Sequence, residues 1–369
     1  MTDLLLTLAL AAHLMMVNLA ISGPIYAIWL ERRGRRLGDE MPGELGQRLA
    51  KSSWHALLGA ILLGLVAALV LHIPGEEWFQ ELFQLPRGRV HWGAVELLFS
   101  LVLMIIYSLA WKRMAGRPWL HRTLAILAAT NLAYHFPMFF VIFSKLRDSG
   151  QLENPVTAEE FRQLIFNGEV VARSLHYVLA SVAMTGVMVM LMALRRYQQE
   201  EDETAPPQRL AIISARAALV ATLLQLPVGY WVLMEAAPGD REKIMGGDWW
   251  AGGLMLAGIL SAVMVLHTLA AVSLGESERK RIRAAAAWML LTILLMVGLL
   301  VRLRQPGPLR EEEHQEAAAA TRIMQENVSQ VHSAAVLTSD ERKTRWEWRQ
   351  FALPKQQRAQ LPRSHRPWA

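Results

Sequence analysis

Histidines embedded in apolar runs carry most of the chemical potential of this sequence. Neutral imidazole offers a nitrogen lone pair near physiological pH and is the commonest metal ligand among side chains. Eight histidines fall within or beside long hydrophobic segments: His13, His55, His72, His91, His121, His135, His176 and His267. An ionisable group at membrane depth costs about 3 kcal/mol or more, so it normally faces a bundle interior, a polar partner or a cofactor. His55 and His121 begin runs at one face and His72 and His91 border the other, where a ring with one wet edge is expected. His13, His135, His176 and His267 are the deeper candidates. Met255, early in a later run, adds a soft sulfur donor, although most of the 18 methionines are expected to fill gaps in the core. Arg216 lies inside a run and can pair with a carboxylate or an anionic cofactor group, or reach back to an interface.

The elements that must position these residues are legible in the hydropathy. Apolar residues make up 53% of the 369 and are gathered into runs at about 4–30, 53–73, 91–111, 120–143, 176–194, 210–234, 250–274 and 284–301. Each matches the roughly 20 residues that carry a helix across about 30 Å of hydrocarbon. A helix is the only open-chain form that satisfies its own backbone there. The expected fold is therefore an all-α integral membrane bundle of eight transmembrane helices. The first run starts without a basic flank and lacks a small-residue cleavage site, so it reads as a retained helix.

Connections 1–2, 3–4, 5–6 and 7–8 carry 17 Lys and Arg against 8 in the opposite loops. That asymmetry assigns the richer face to the cytoplasm and both termini to the outer side of a bacterial inner membrane. His13, His135, His176 and Met255 then fall in the outer half, while His267 falls toward the cytoplasm. The pI near 9.8 follows largely from these topogenic charges and a basic tail, so no nucleic-acid partner is implied. Cysteine is absent, which excludes disulfides, iron–sulfur ligation and a C-x-x-C-H haem attachment.

Several iron-ligating side chains in one leaflet suit a haem, with imidazole or thioether as axial ligand and the macrocycle filling apolar space between helices. Two other readings use the same residues. A proton-coupled transporter would use His135, Arg216, Glu96 and the helix-breaking signals at Gly23-Pro24, Pro137 and Pro227. A membrane assembly subunit without cofactor would use the histidines as interhelical hydrogen-bond donors.

The stretches HLMMVNLAISGPIYAIWLERR, HWGAVELLFSLVLMIIYSLAW, LAATNLAYHF and RSLHYVLASVAMTGVMVMLMALRRY, followed by Arg304-Gln305-Pro306, occur in an order that resembles subunit I of the cytochrome bd quinol oxidases. The resemblance covers about residues 4–308. It implies one or two b-type haems, with His13 as ligand of one and His176 with Met255 as ligands of a low-spin haem. Glu96 takes the place of the family's glutamate beside the oxygen-reducing haem, as a catalytic, proton-handling acid, and Asn131 matches the asparagine of the fourth helix. It also implies an oxidoreductase in a respiratory assembly, set in lipid with other subunits and linked to a quinol or a periplasmic c-type cytochrome.

Departures qualify the expected reaction. The family's long quinol-binding loop is reduced here to about fifteen residues, Met104 stands near the place of a second glutamate, and the last run has no acid to ligate another haem. The family has nine helices in this subunit and this chain has eight runs. Residues 1–304 are read as the haem-binding bundle and 305–369 as an extramembrane tail, helical in its alanine- and glutamate-rich part and flexible or partner-docking beyond.

Overall fold

The computed structural model describes residues 2–72, 85, 88–148, 156–197 and 206–304. The elements are α1 (Thr2–Leu37), α2 (Glu40–His72), α3 (Arg89–Leu109), α4 (Pro118–Asp148), α5 (Ala158–Ile165), α6 (Gly168–Tyr197), α7 (Pro206–Glu235), α8 (Pro238–Glu242), a π-turn (Lys243–Gly247), α9 (Trp249–Ser273) and α10 (Arg279–Arg304). No strand occurs among the described residues. Eight of the helices are long and apolar enough to cross a membrane, all but the short α5 and α8. These are the eight hydrophobic runs. The expected tail, 305–369, and the Gln305-Pro306 step lie outside the described residues.

The helices outrun the hydropathy. α1 continues through its arginines to Leu37, α2 begins at Glu40, and α6 begins at Gly168, eight residues before His176. Arg, Lys, Glu and Gln are good helix formers, so backbone hydrogen bonding propagates past the end of the apolar window. α1, α4 and α7 also run on through Pro24, Pro137 and Pro227, so none of these breaks its helix. A left-handed Gly38, with φ of 65°, turns the chain between α1 and α2. The Asp39 carboxylate then accepts the Met41 N–H at 3.0 Å. The charged ends of these two helices form a hairpin beyond the apolar segments.

Packing resolves the eight long helices into two rings. In the first, α1 packs on α2, α2 on α3, α3 on α4, and α4 back on α1. In the second, α6 packs on α7, α7 on α9, α9 on α10, and α10 back on α6. α6 joins the rings through its contacts with α1 and α4, and α10 adds a contact with α1. The central core lies along these joins, with Leu30, Leu49, Met190, Leu210 and Leu269 fully buried.

Lipid tails are as apolar as leucine, so helices in a membrane associate through close approach and hydrogen bonds rather than hydrophobic burial. The α1–α6 seam follows that rule. Ser22 and Ser181 share a hydrogen bond of 2.6 Å, and the Tyr26 hydroxyl donates to the Val182 carbonyl at 3.1 Å. At Gly186 a Cβ would meet the Tyr26 hydroxyl at 2.8 Å, the Ala218 Cβ at 3.0 Å and the Ser214 carbonyl at 3.1 Å. Two helices and a tyrosine close on one missing side chain. Gly186→Ala should therefore destabilise the bundle by about 1–3 kcal/mol, seen as a lower midpoint of thermal unfolding in detergent. Gly93→Ala, where a Cβ meets nothing within 4 Å, should leave it unchanged.

Candidate functional site

His176 stands two turns inside α6, on the face that meets α7. A Cβ on Gly229 of α7 would come 3.6 Å from its Cε1 and 3.8 Å from its Nδ1. That ring nitrogen is buried and has no hydrogen-bond partner. Leaving a buried polar atom unpaired costs about 1–3 kcal/mol, so such an atom requires an explanation. Met255, half-buried on α9, occupies the opposite corner of the same ring, because α6 and α9 both flank α7 and α10. At 1.5 Å per residue, His176 lies about 28 Å from Arg195 and Met255 about 27 Å from Ser273, so the two share a level.

His13 belongs to the first ring. Its Nδ1 lies 3.0 Å from the Ala60 carbonyl of α2. A carbonyl only accepts, so Nδ1 carries the proton and the lone pair is left on Nε2. Gly64, one turn along α2, allows the close approach, since a Cβ there would lie 3.2 Å from the His13 Cε1. An imidazole fixed through one nitrogen by a backbone carbonyl, with the other free to donate, is the usual arrangement of a metal-ligating histidine. His13 is about 27 Å along α1 from Glu31, which puts it in the same leaflet as His176.

Glu96 and His135 form a pair across α3 and α4, with Glu96 Oε2 3.1 Å from His135 Nδ1. Asn131, one turn from His135, donates to the Glu96 backbone carbonyl at 3.0 Å and to Ser100 Oγ at 2.8 Å. The Ser100 hydroxyl donates in turn to the Ala128 carbonyl at 3.4 Å. The amide thus pins the helix turn that carries the carboxylate. About a third of each side chain in the pair is exposed. Met104, two turns further along α3, is 1% exposed and fills the seam with apolar bulk.

The remaining candidates lie elsewhere. Arg216 donates to the Ser273 carbonyl at 3.1 Å, at the last turn of α9. That is about 20 Å along α7 from Gly229, so the structure does not bring Arg216 to His176. His267 is exposed near the same end of α9.

His121 differs from its expected interfacial state. It is 1% exposed, donates from Nε2 to the Tyr107 carbonyl at 2.9 Å, and stacks on the Tyr107 ring at 4.3 Å. Its Nδ1 lies 3.7 Å from Glu31, which also pairs with Arg35 at 3.0 Å and Arg122 at 3.2 Å. In the sequence Glu31 directly follows the first apolar run. Its i+4 spacing to Arg35 is the one signal of a partner within α1. The other partners come from α4 and are visible only in the fold.

At the opposite face, the thirteen residues joining α7 to α9 are organised by Asp248. Its carboxylate caps α9 by accepting from the N–H of Trp250 at 2.9 Å and of Ala251 at 3.3 Å, and takes a 2.7 Å bond from Arg302 Nε of α10. Burial, the largest single influence, pushes the carboxyl pKa up, but the Arg302 and backbone hydrogen bonds together outweigh it and hold it below the ordinary aspartate value. The Lys243 ammonium donates to the Leu303 carbonyl at 2.8 Å and makes a second tie between the same segments.

Among the described residues no group of three His, Asp or Glu side chains stands close enough to hold a bare metal ion. No protein-family model and no curated protein matches the chain in sequence. Among solved structures, a chain of the bd oxidase from Geobacillus thermodenitrificans is similar, with a TM-score of 0.62 at 13% identity. The match covers 80% of this chain and 85% of that one. The protein is thus an all-α membrane bundle with a bd-oxidase-like fold.

Two expectations follow from the ion pairs. Glu31→Gln leaves Arg35 and Arg122 without their carboxylate and should cost about 3 kcal/mol, the low end for breaking a buried pair because both arginines are partly exposed. Thermal unfolding in detergent measures it. Asp248 has a lowered folded pKa, so its contribution to stability is complete above the unfolded value near 3.8 and is lost only as pH falls through the lower folded value. Asp248→Asn should therefore lower the unfolding midpoint at pH 5–8, and the gap from wild type should close only in strong acid.

Proposed function

We propose that this chain is a b-type haem-binding electron-transfer subunit of a bd-like respiratory complex in a bacterial inner membrane, with both termini on the outer side. The observation that carries the reading is the buried, unpartnered Nδ1 of His176 in a four-helix ring whose opposite corner bears Met255 at the same level. A haem needs only one or two axial ligands from the protein, which agrees with single donors on separate helices rather than a clustered metal site. The residues present fit such a group. His176 and Met255 would hold a low-spin haem, and His13 would hold a second through Nε2.

Bound there, haem b supplies one-electron transfer between ferric and ferrous iron. The protein's own residues do the rest. The Ala60 carbonyl fixes the His13 tautomer and ring plane and raises the donor strength of Nε2. Glu96 Oε2 and His135 Nδ1, 3.1 Å apart in the same leaflet, would relay a proton to a nearby acceptor. Met104 fills the seam toward the basic face, so in this reading the pair exchanges protons with the outer side. The tail, 305–369, is the docking arm for a partner subunit or a periplasmic c-type cytochrome, and the short α7–α9 connection disfavours quinol oxidation by an extended loop.

The Glu96–His135 pair would also serve a proton-coupled transporter, whose substrate path would not need His176 or His13. Spectroscopy separates the two. The purified protein, expressed with ample haem, should show Soret and α bands in its reduced-minus-oxidised spectrum, and bandless protein would reject the haem reading. His176→Ala should remove the low-spin bands, whereas His13→Ala should spare them. Carbon monoxide should shift only the His13-dependent part of the spectrum if that haem has an open position.

A further inference from the structure

A cavity of about 450 Å³ opens on the flank of the bundle between α1, α4, α6 and α7. Ile25 and Trp29 of α1, Ala133 of α4, Val182 of α6 and Ile213 and Ala217 of α7 form its walls. Ile25 is 45% exposed, so the cavity faces the lipid side. Its volume equals about fifteen water-sized units, the scale of one acyl chain.

The hydroxyls in its walls are already engaged. The Tyr26 hydroxyl donates to the Val182 carbonyl, Ser22 bonds to Ser181, and the Thr130 hydroxyl donates to the Ile126 carbonyl at 2.7 Å. No wall residue offers a nitrogen or sulfur to iron. The cavity therefore suits a hydrocarbon chain, and neither a polar substrate nor a haem.

Cations stand at one end of it. Arg33 follows Trp29 by one helical turn, and Arg209 precedes Ile213 by one turn, so each continues a wall stripe toward the arginine-rich face. Glu31, on the far side of α1, is taken up by Arg35, Arg122 and His121 and does not neutralise them. We infer that this cleft binds an anionic phospholipid, with one acyl chain along the apolar walls and its phosphate at Arg33 and Arg209.

The test uses full-length protein, delipidated in neutral detergent and incubated with phosphatidylglycerol or phosphatidylcholine, with retained lipid read by native mass spectrometry. Wild type should retain phosphatidylglycerol at least about tenfold better, given roughly 1 kcal/mol per cation near an anionic headgroup. Arg33→Gln with Arg209→Gln should abolish that preference. Arg48→Gln with Lys51→Gln, which removes the same charge from the same face away from the cleft, should leave it intact. Ala133→Phe should reduce retention of both lipids by filling the chain groove, with unchanged helical circular dichroism establishing its fold. Equal retention of the two lipids by wild type, equal loss in both double variants, or full retention in a folded Ala133→Phe protein would each overturn the proposal.

Discussion

Hydrocarbon tolerates an ionisable side chain only in company, and that constraint orders this molecule. Glu31 is closed in by two arginines and a histidine, Glu96 is paired with His135, and Asp248 is held by Arg302 and two backbone N–H groups. Each group ties one helix to another, and Glu31 does so across the length of chain that separates α1 from α4. Because helices in lipid gain little from apolar burial, these polar ties and the close contacts at Gly186 and Gly64 determine which helices are neighbours. Two four-helix rings, the second joined to the first through α6, result from that limited set of contacts.

His176 contrasts with these carboxylates. The carboxylates at comparable depth have partners and this imidazole nitrogen does not. His13 offers the complementary case, with one nitrogen satisfied by α2 and the other unassigned. The two histidines thus present ring nitrogens without a protein partner at one level of the bundle. The likeness to the bd oxidase, at 13% identity, is one of fold.

Much of this was readable from residues alone. Hydropathy sets the eight spans because the backbone has no alternative in lipid, and the histidine positions within those spans set their depth. The pairing of Glu96 with His135 was not readable, since it depends on the register of α3 against α4. His121 was misjudged for a related reason. Its place at the start of an apolar run suggested a wet edge, but the Glu31 end of α1 and the Tyr107 end of α3 close over it. Arg216 reads from the sequence as a partner for a carboxylate or cofactor group or as a side chain reaching an interface, and its bond to the end of α9 is a relation that sequence spacing cannot express.

The lengths of the first two helices have a practical outcome. α1 spans 36 residues and α2 33, about 54 and 50 Å at 1.5 Å per residue, against roughly 30 Å of hydrocarbon. Their charged ends, turned at Gly38, form a stalk that a detergent belt will not cover. That stalk is a landmark for aligning images by electron microscopy. It also gives an antibody fragment raised to the turn a rigid place to hold.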